Sequence, residues 1–162
     1  MPSWFDDELS KIKKMRGAEG SDTGLDRQRD EFRQQFLQAI EATVWPAFEN
    51  FVVNATEHDF PASLGREEDA KGRLRAVHIY ILPISGAEAS PLALETCTYK
   101  IAMQMGTQRI AHMMNFQNRN NPRIKNEFDF QGLASLTEPN VDIKLKRFLE
   151  LSLEYCKGPP SL

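Results

Sequence analysis

Cysteine is scarce in this chain: Cys97 and Cys156 are the only two, and neither forms a CxxC pair or lies close to a histidine in sequence. That excludes a disulfide framework or a thiolate zinc site, and it predicts free, buried thiols in a reducing cytoplasm. Long apolar runs are missing as well. No stretch approaches the roughly eighteen apolar residues that a membrane span needs. The opening MPSWFDDELS is acidic and has no apolar segment, so it is not expected to act as a signal peptide.

Histidine is equally sparse. His58, His78 and His112 are scattered, and the chain has no HExxH, Walker, GxSxG or GxGxxG motif. The glycines Gly17, Gly20 and Gly24 are spaced as linker, not as a phosphate cradle. His58-Asp59 has no third member, and adjacent residues rarely address one substrate, so His58 reads as a helix-end residue. No catalytic set, metal site or cofactor is expected.

Negative charge is missing from one region. Between Thr96 and Asn126 there is no Asp or Glu, while Lys100, Arg109, Arg119, Arg123 and Lys125 contribute five positive charges. The formal net charge is −3, which leaves −8 for the rest of the chain. An acidic total argues against a general nucleic-acid coat, and the glycine-aromatic signature of single-strand RNA modules is absent. Local anion recognition by the basic stretch stays open.

At 162 residues the chain is long enough to bury an ordinary core. Residues 1–24 read as a short amphipathic helix over 3–16 followed by a flexible hinge, RGAEGSDTG; residues 25–162 read as a single α+β domain. In the first helix the acids Asp6, Asp7 and Glu8 precede Lys11, Lys13, Lys14 and Arg16, the order that suits the helix dipole. A longer helix follows from about Asp26 to Thr56. Its apolar stripe is Phe32, Phe36, Ile40, Val44, Phe48, Phe51, Val52 and Ala55, at spacings of three and four. Pro46 removes the amide that would bond to Ala42, so a bend is predicted at Ala42–Pro46, with Trp45 beside it as a core plug.

Residues 60–72 read as an exposed loop. Leu74 to Ile84 reads as a first strand, with Val77, Ile79 and Ile81 on one face and Ala76, His78, Tyr80 and Leu82 on the other. After a loop at Ser85–Ala93, the stretch LETCTYKIAMQMGTQRIAHMMNFQ reads as a hairpin closed by a two-residue type II′ turn at Gly106-Thr107. That register sets Met103 opposite Ile110, Ile101 opposite His112, Tyr99 opposite Met114 and Cys97 opposite Phe116 on one apolar face. Gln104 opposes Arg109, Ala102 opposes Ala111, Lys100 opposes Met113 and Thr98 opposes Asn115 on the other. His112 is then a buried neutral histidine with a hydrogen-bond partner.

NRNNPR, Asn118–Arg123, reads as a turn, and Ile124 to Phe130 as a fourth strand with Ile124, Phe128 and Phe130 inward. A last helix spans about Glu138 to Cys156, with Val141, Leu145, Phe148, Leu149, Ser152 and Cys156 inward. Leu151 and Leu153 widen its apolar surface. The predicted fold is α+β: a four-stranded antiparallel meander covered by the long N-terminal helix and the C-terminal helix.

The second sheet face is the candidate binding surface: His78, Tyr80, Thr98, Lys100, Gln104, Arg109, Met113 and Asn115. It mixes aromatic, cationic, amide and apolar groups, as interface centres do, and Met103, Met105, Met113 and Met114 add adaptable contact area. The expected function is a non-catalytic binding or accessory protein acting through protein–protein contacts, with an acidic partner or a second copy of itself. The alternative is a protein or enzyme for a small anionic ligand, using Lys100, Arg109, His78 and Tyr80 on the same face.

Overall fold

The computed structural model describes residues 4, 7–8, 21–82, 96–118 and 121–156, with backbone alone at 21–23, 25, 117–118, 121–125 and 155–156. The chain divides into two compact units, residues 1–35 and residues 36–162. In the first, residues 4 and 7–8 are helical. The remainder of the helix expected over 3–16 lies outside the described residues. So do residues 16–20 of the expected hinge, the loop Ser85–Ala93, residues 119–120 and the Cys156 side chain.

The helical part opens with α1, Ser21–Ala39, so Ser21–Gly24 are helix and not hinge. A π-helical turn, Ile40–Val44, follows, and then α2, Trp45–Glu57. The apolar stripe emerges as read: Phe36, Ile40, Val44 and Phe48 are fully enclosed, Phe32 and Ala55 are buried, and Phe51 and Val52 are half-buried. At Pro46 the helix answers the missing amide by widening. The Trp45 N–H reaches the Ile40 carbonyl, five residues back, and Pro46 falls in the first turn of α2, where no donor is required. Trp45 is not a core plug. It is half-buried, with the Arg66 guanidinium 4.1 Å from its ring centre and Arg66 bonded to Glu41 at 2.5 Å.

The sheet has five strands in meander order, each antiparallel to the next. They are β1 Ala62–Glu68, β2 Leu74–Ile81, β3 Cys97–Gln104, β4 Arg109–Asn118 and β5 Asn121–Gln131. The extra strand is β1, in the segment expected to be loop. ASLGREE has polar residues and a glycine where a two-sided strand has apolar ones, but an edge strand needs pairing on one side only. The turn after it is built by Asp69, whose carboxylate accepts from the Lys71 and Arg73 amides, with Gly72 at φ 75°.

The β3–β4 register agrees with the expected one from Thr98↔Asn115 to Gln104↔Arg109. The turn does not. Gln104 and Arg109 are the last paired residues, Gly106 has no positive φ, and the left-handed position is Gln108 at φ 52°. The connection is therefore a four-residue loop, Met105–Gln108, in place of a type II′ turn.

β5 corrects the sequence reading most. Its pairing with β4 sets Glu127 opposite Met114 and Asp129 opposite His112, on the core face, and Phe128 opposite Met113 and Phe130 opposite Ala111, on the other. Asn118 pairs with Asn121, the register shifts between Phe116 and Asn118, and the ladder from Phe116↔Lys125 to Ile110↔Gln131 sets the alternation. The acids are tolerated because β5 is an edge. Lys144 meets Asp129 at 2.8 Å and Arg147 forks onto Glu127 at 2.9 and 2.6 Å, both from α3, Glu138–Cys156.

α2 and α3 cover the first face of the sheet. Tyr99 stands at the centre, with Phe48 of α2 at 5.7 Å and Phe148 of α3 at 5.8 Å between ring centres, and Phe148 also meets Phe51 and Phe116. Val77, Ile79, Ile81, Cys97, Ile101 and Ile110 complete a floor with no solvent exposure. Cys97 is a free, buried thiol.

Candidate functional site

Pleating sends alternate residues of each strand to opposite faces, and the four ladders align the outward ones into rows across the sheet. One row is Gly65, His78, Lys100, Met113 and Phe128; the next is Ser63, Tyr80, Thr98, Asn115 and Asn126. On the other side of the first lies Glu67, Ala76, Ala102, Ala111 and Phe130, and beyond it the pair Gln104 and Arg109. All eight candidate residues therefore share the second face: six are contiguous in two rows, and Gln104 and Arg109 stand apart across the alanine row.

That row gives the face its relief. Ala76, Ala102 and Ala111 are buried, with Met113 packed against them. The small side chains form a covered floor, and Phe130 stands at its β5 end. Phe128 and Phe130 are 60% and 48% exposed. At the β1 end His78 lies over Gly65, where a Cβ would come 2.1 Å from its Nε2, and its ring centre is 4.5 Å from that of Tyr80. Burial pushes the His78 pKa down, with Glu67 opposing and Lys100 adding to the shift. Burial likewise pushes the Tyr80 phenol up, with Glu67 adding.

Sequence reasoning missed Phe128, Phe130, Glu67 and Gly65 here. The phenylalanines follow from the β4–β5 register, which sets Phe128 opposite Met113 and Phe130 opposite Ala111. Glu67 and Gly65 were hidden because their strand lacks an apolar alternation. Glu67 alters the electrostatics: its carboxylate holds the Lys100 ammonium at 2.5 Å. Arg109 is exposed and has no acidic partner among the described residues. The face is therefore mixed in sign. Of the other cations of the acid-free stretch, Arg119 and the Arg123 and Lys125 side chains lie outside the described residues.

A second polar group lies inside the core. The Tyr99 hydroxyl is 2.8 Å from His112 Nδ1, His112 Nε2 is 3.0 Å from Ser135 Oγ, and Ser135 Oγ donates to the Gly132 carbonyl at 2.8 Å. The chain has one consistent polarity. Ser135 spends its proton on Gly132, so its oxygen accepts from Nε2–H, and Nδ1 accepts from Tyr99. A nucleophilic serine would have to donate to the imidazole, the reverse arrangement. His112 and Ser135 are also almost fully buried, so the group is structural. Burial, with Lys144 adding and Asp129 opposing, pushes the His112 pKa down to about 4.

Among the described residues no cluster of His, Cys, Asp or Glu is arranged to hold a metal ion, and no helix is long and apolar enough to cross a membrane. The fold defines an α+β protein with helices on one face of a five-stranded antiparallel meander. No family model, curated protein or solved structure matches the chain.

Proposed function

We propose that this chain is a non-catalytic binding or accessory protein whose contacts are made through the second face of the sheet, with a second copy of itself as the occupant. The observation that carries the reading is the exposure of Phe128 and Phe130 beside a row of alanines. Large aromatics next to a low apolar floor are the composition of an interface core. The charges favour self-pairing over a uniformly acidic partner, because Glu67, Lys100 and Arg109 present both signs on one surface, and an isologous contact can match each with its opposite. At strand and residue spacings of about 4.8 and 3.4 Å the face measures roughly 19 by 20 Å, about 380 Å² on each copy, which is below the size of a standard specific interface and makes the pairing a weak, transient one.

The test is the solution mass of the full chain over a concentration series, beside the double variant Phe128→Ser, Phe130→Ser. Both side chains are exposed, so the variant should melt within a few degrees of the parent. The parent should approach the mass of two chains at high concentration, and the variant should remain at one. The anionic-ligand alternative loses ground on a specific contact, since Glu67 already neutralises Lys100.

A further inference from the structure

The C-terminal turns of α2 and α3, on the helical side of the protein, enclose a pocket of about 360 Å³. This volume is within the range of small-molecule sites and has room for about a dozen water-sized groups. Its walls are Phe51 of α2, Phe60 just beyond it, and Leu149 and Leu153 of α3, all half-buried, with Asn54 and His58 as the polar residues. Leu153 belongs to the surplus apolar surface that the sequence shows on the last helix, and this pocket accounts for it.

The polar residues specify the head group. His58 Nδ1 lies 2.8 Å from the Asn54 carbonyl oxygen, which can only accept, so Nδ1 carries the proton. In the neutral ring Nε2 is then an acceptor, and because His58 is exposed it can take its donor from water or from a hydroxyl in the pocket. The same place is the C-terminal end of α2, where the helix dipole is negative and an anionic head is disfavoured. We infer that the pocket binds a small apolar alcohol or phenol, its body against Phe51, Phe60, Leu149 and Leu153 and its hydroxyl donating to His58.

Three probes of one shape test this on the full chain: 2-naphthol, 2-methoxynaphthalene and 2-naphthoate, titrated by calorimetry and by backbone amide shifts. Naphthol should bind one per chain, with shifts gathered at Phe51, Ala55, Phe60, Leu149 and Leu153. The methoxy compound should bind roughly twofold to tenfold more weakly, the value of one neutral hydrogen bond, and the naphthoate more weakly still. Leu153→Trp should abolish binding with an unchanged circular dichroism spectrum, and Leu149→Trp serves if that variant fails to fold. His58→Leu should retain binding but erase the preference for naphthol over its ether. Absence of saturable naphthol binding, shifts gathered elsewhere, or undiminished binding to the tryptophan variant would overturn the site. Equal affinities for naphthol and its ether would overturn the assigned head group.

Discussion

At the residue scale the most consequential side chain is His112, because it is an ionisable group held neutral in the core. Its folded pKa of about 4 lies below the ordinary 6.5, so the unfolded chain takes up the proton first. Stability contributed by the neutral ring is complete above pH 6.5, declines as the pH falls, and is lost below about 4. At about 1.4 kcal/mol per pKa unit the loss is roughly 3 kcal/mol. Lys144 holds the Asp129 carboxyl below the usual range, so Asp129 acts only under pH 3.8, outside this window. His78 is also depressed and acts in the same direction. The difference between parent and His112→Gln therefore isolates the buried ring. Denaturant unfolding at pH 7 and pH 4.5 should show the variant less stable at pH 7 by about 1–3 kcal/mol, with that deficit shrinking at pH 4.5. A constant deficit would mean that folding does not depress the His112 pKa. The hairpin faces admit a similar test. Ile101 is fully buried, so Ile101→Ala should cost about 2–5 kcal/mol, while Thr98→Ala on the second face should cost under about 1. A reversed ranking would exchange the two faces.

At the element scale the strained non-glycine positions among the described residues are Asp59, after α2, and Gln108, in the β3–β4 loop. Gln108 sits at φ 52°, a region that costs a non-glycine residue roughly 1 kcal/mol or more. Gln108→Gly should raise the stability of the hairpin by about 0.5–1 kcal/mol, read from the unfolding midpoint, whereas Gly106→Ala should cost little, since nothing lies within 4 Å of a Cβ there. The π-helical turn makes a parallel point. Because Pro46 already occupies a first-turn position, Pro46→Ala should shift stability by less than about 1 kcal/mol, not the roughly 3 of a proline in a helix interior. A gain near 3 kcal/mol would show that the proline still strains the helix.

These elements also show what the sequence could disclose. The helix stripe from Phe32 to Ala55, the β3–β4 pairing and the last helix were legible, because each is a long apolar pattern with a single period. The edge strands were not. β1 has no alternation to read, and β5 alternates cleanly but was assigned to the wrong face. Phe128 and Phe130 are apolar enough to look internal, while Glu127 and Asp129 look external until Arg147 and Lys144 stand beside them. The eight candidate residues were correctly grouped on one face, since they follow from the register. The aromatic pair that now dominates that face depended on β5, the strand least constrained by its own pattern.

At the scale of the whole molecule, one face of the sheet is closed by two helices and a cluster of tilted aromatics, and the other carries its largest apolar groups in the open. That second face is the one proposed to meet its copy. The most direct measurement places a nitroxide at Asn115→Cys and mixes this chain with an equal amount of isotope-labelled, unmodified chain. Cys97 is fully buried and should escape labelling in the folded protein, and Cys156→Ser in the same chain removes the other thiol. Relaxation of amides in the labelled partner then reports only contacts between chains. Strong broadening at Thr98, Lys100, Met113 and Phe128, with α2 and α3 untouched and the effect gone in the double serine variant, is the predicted result. No broadening between chains at millimolar concentration, or broadening centred on the helices, would contradict it.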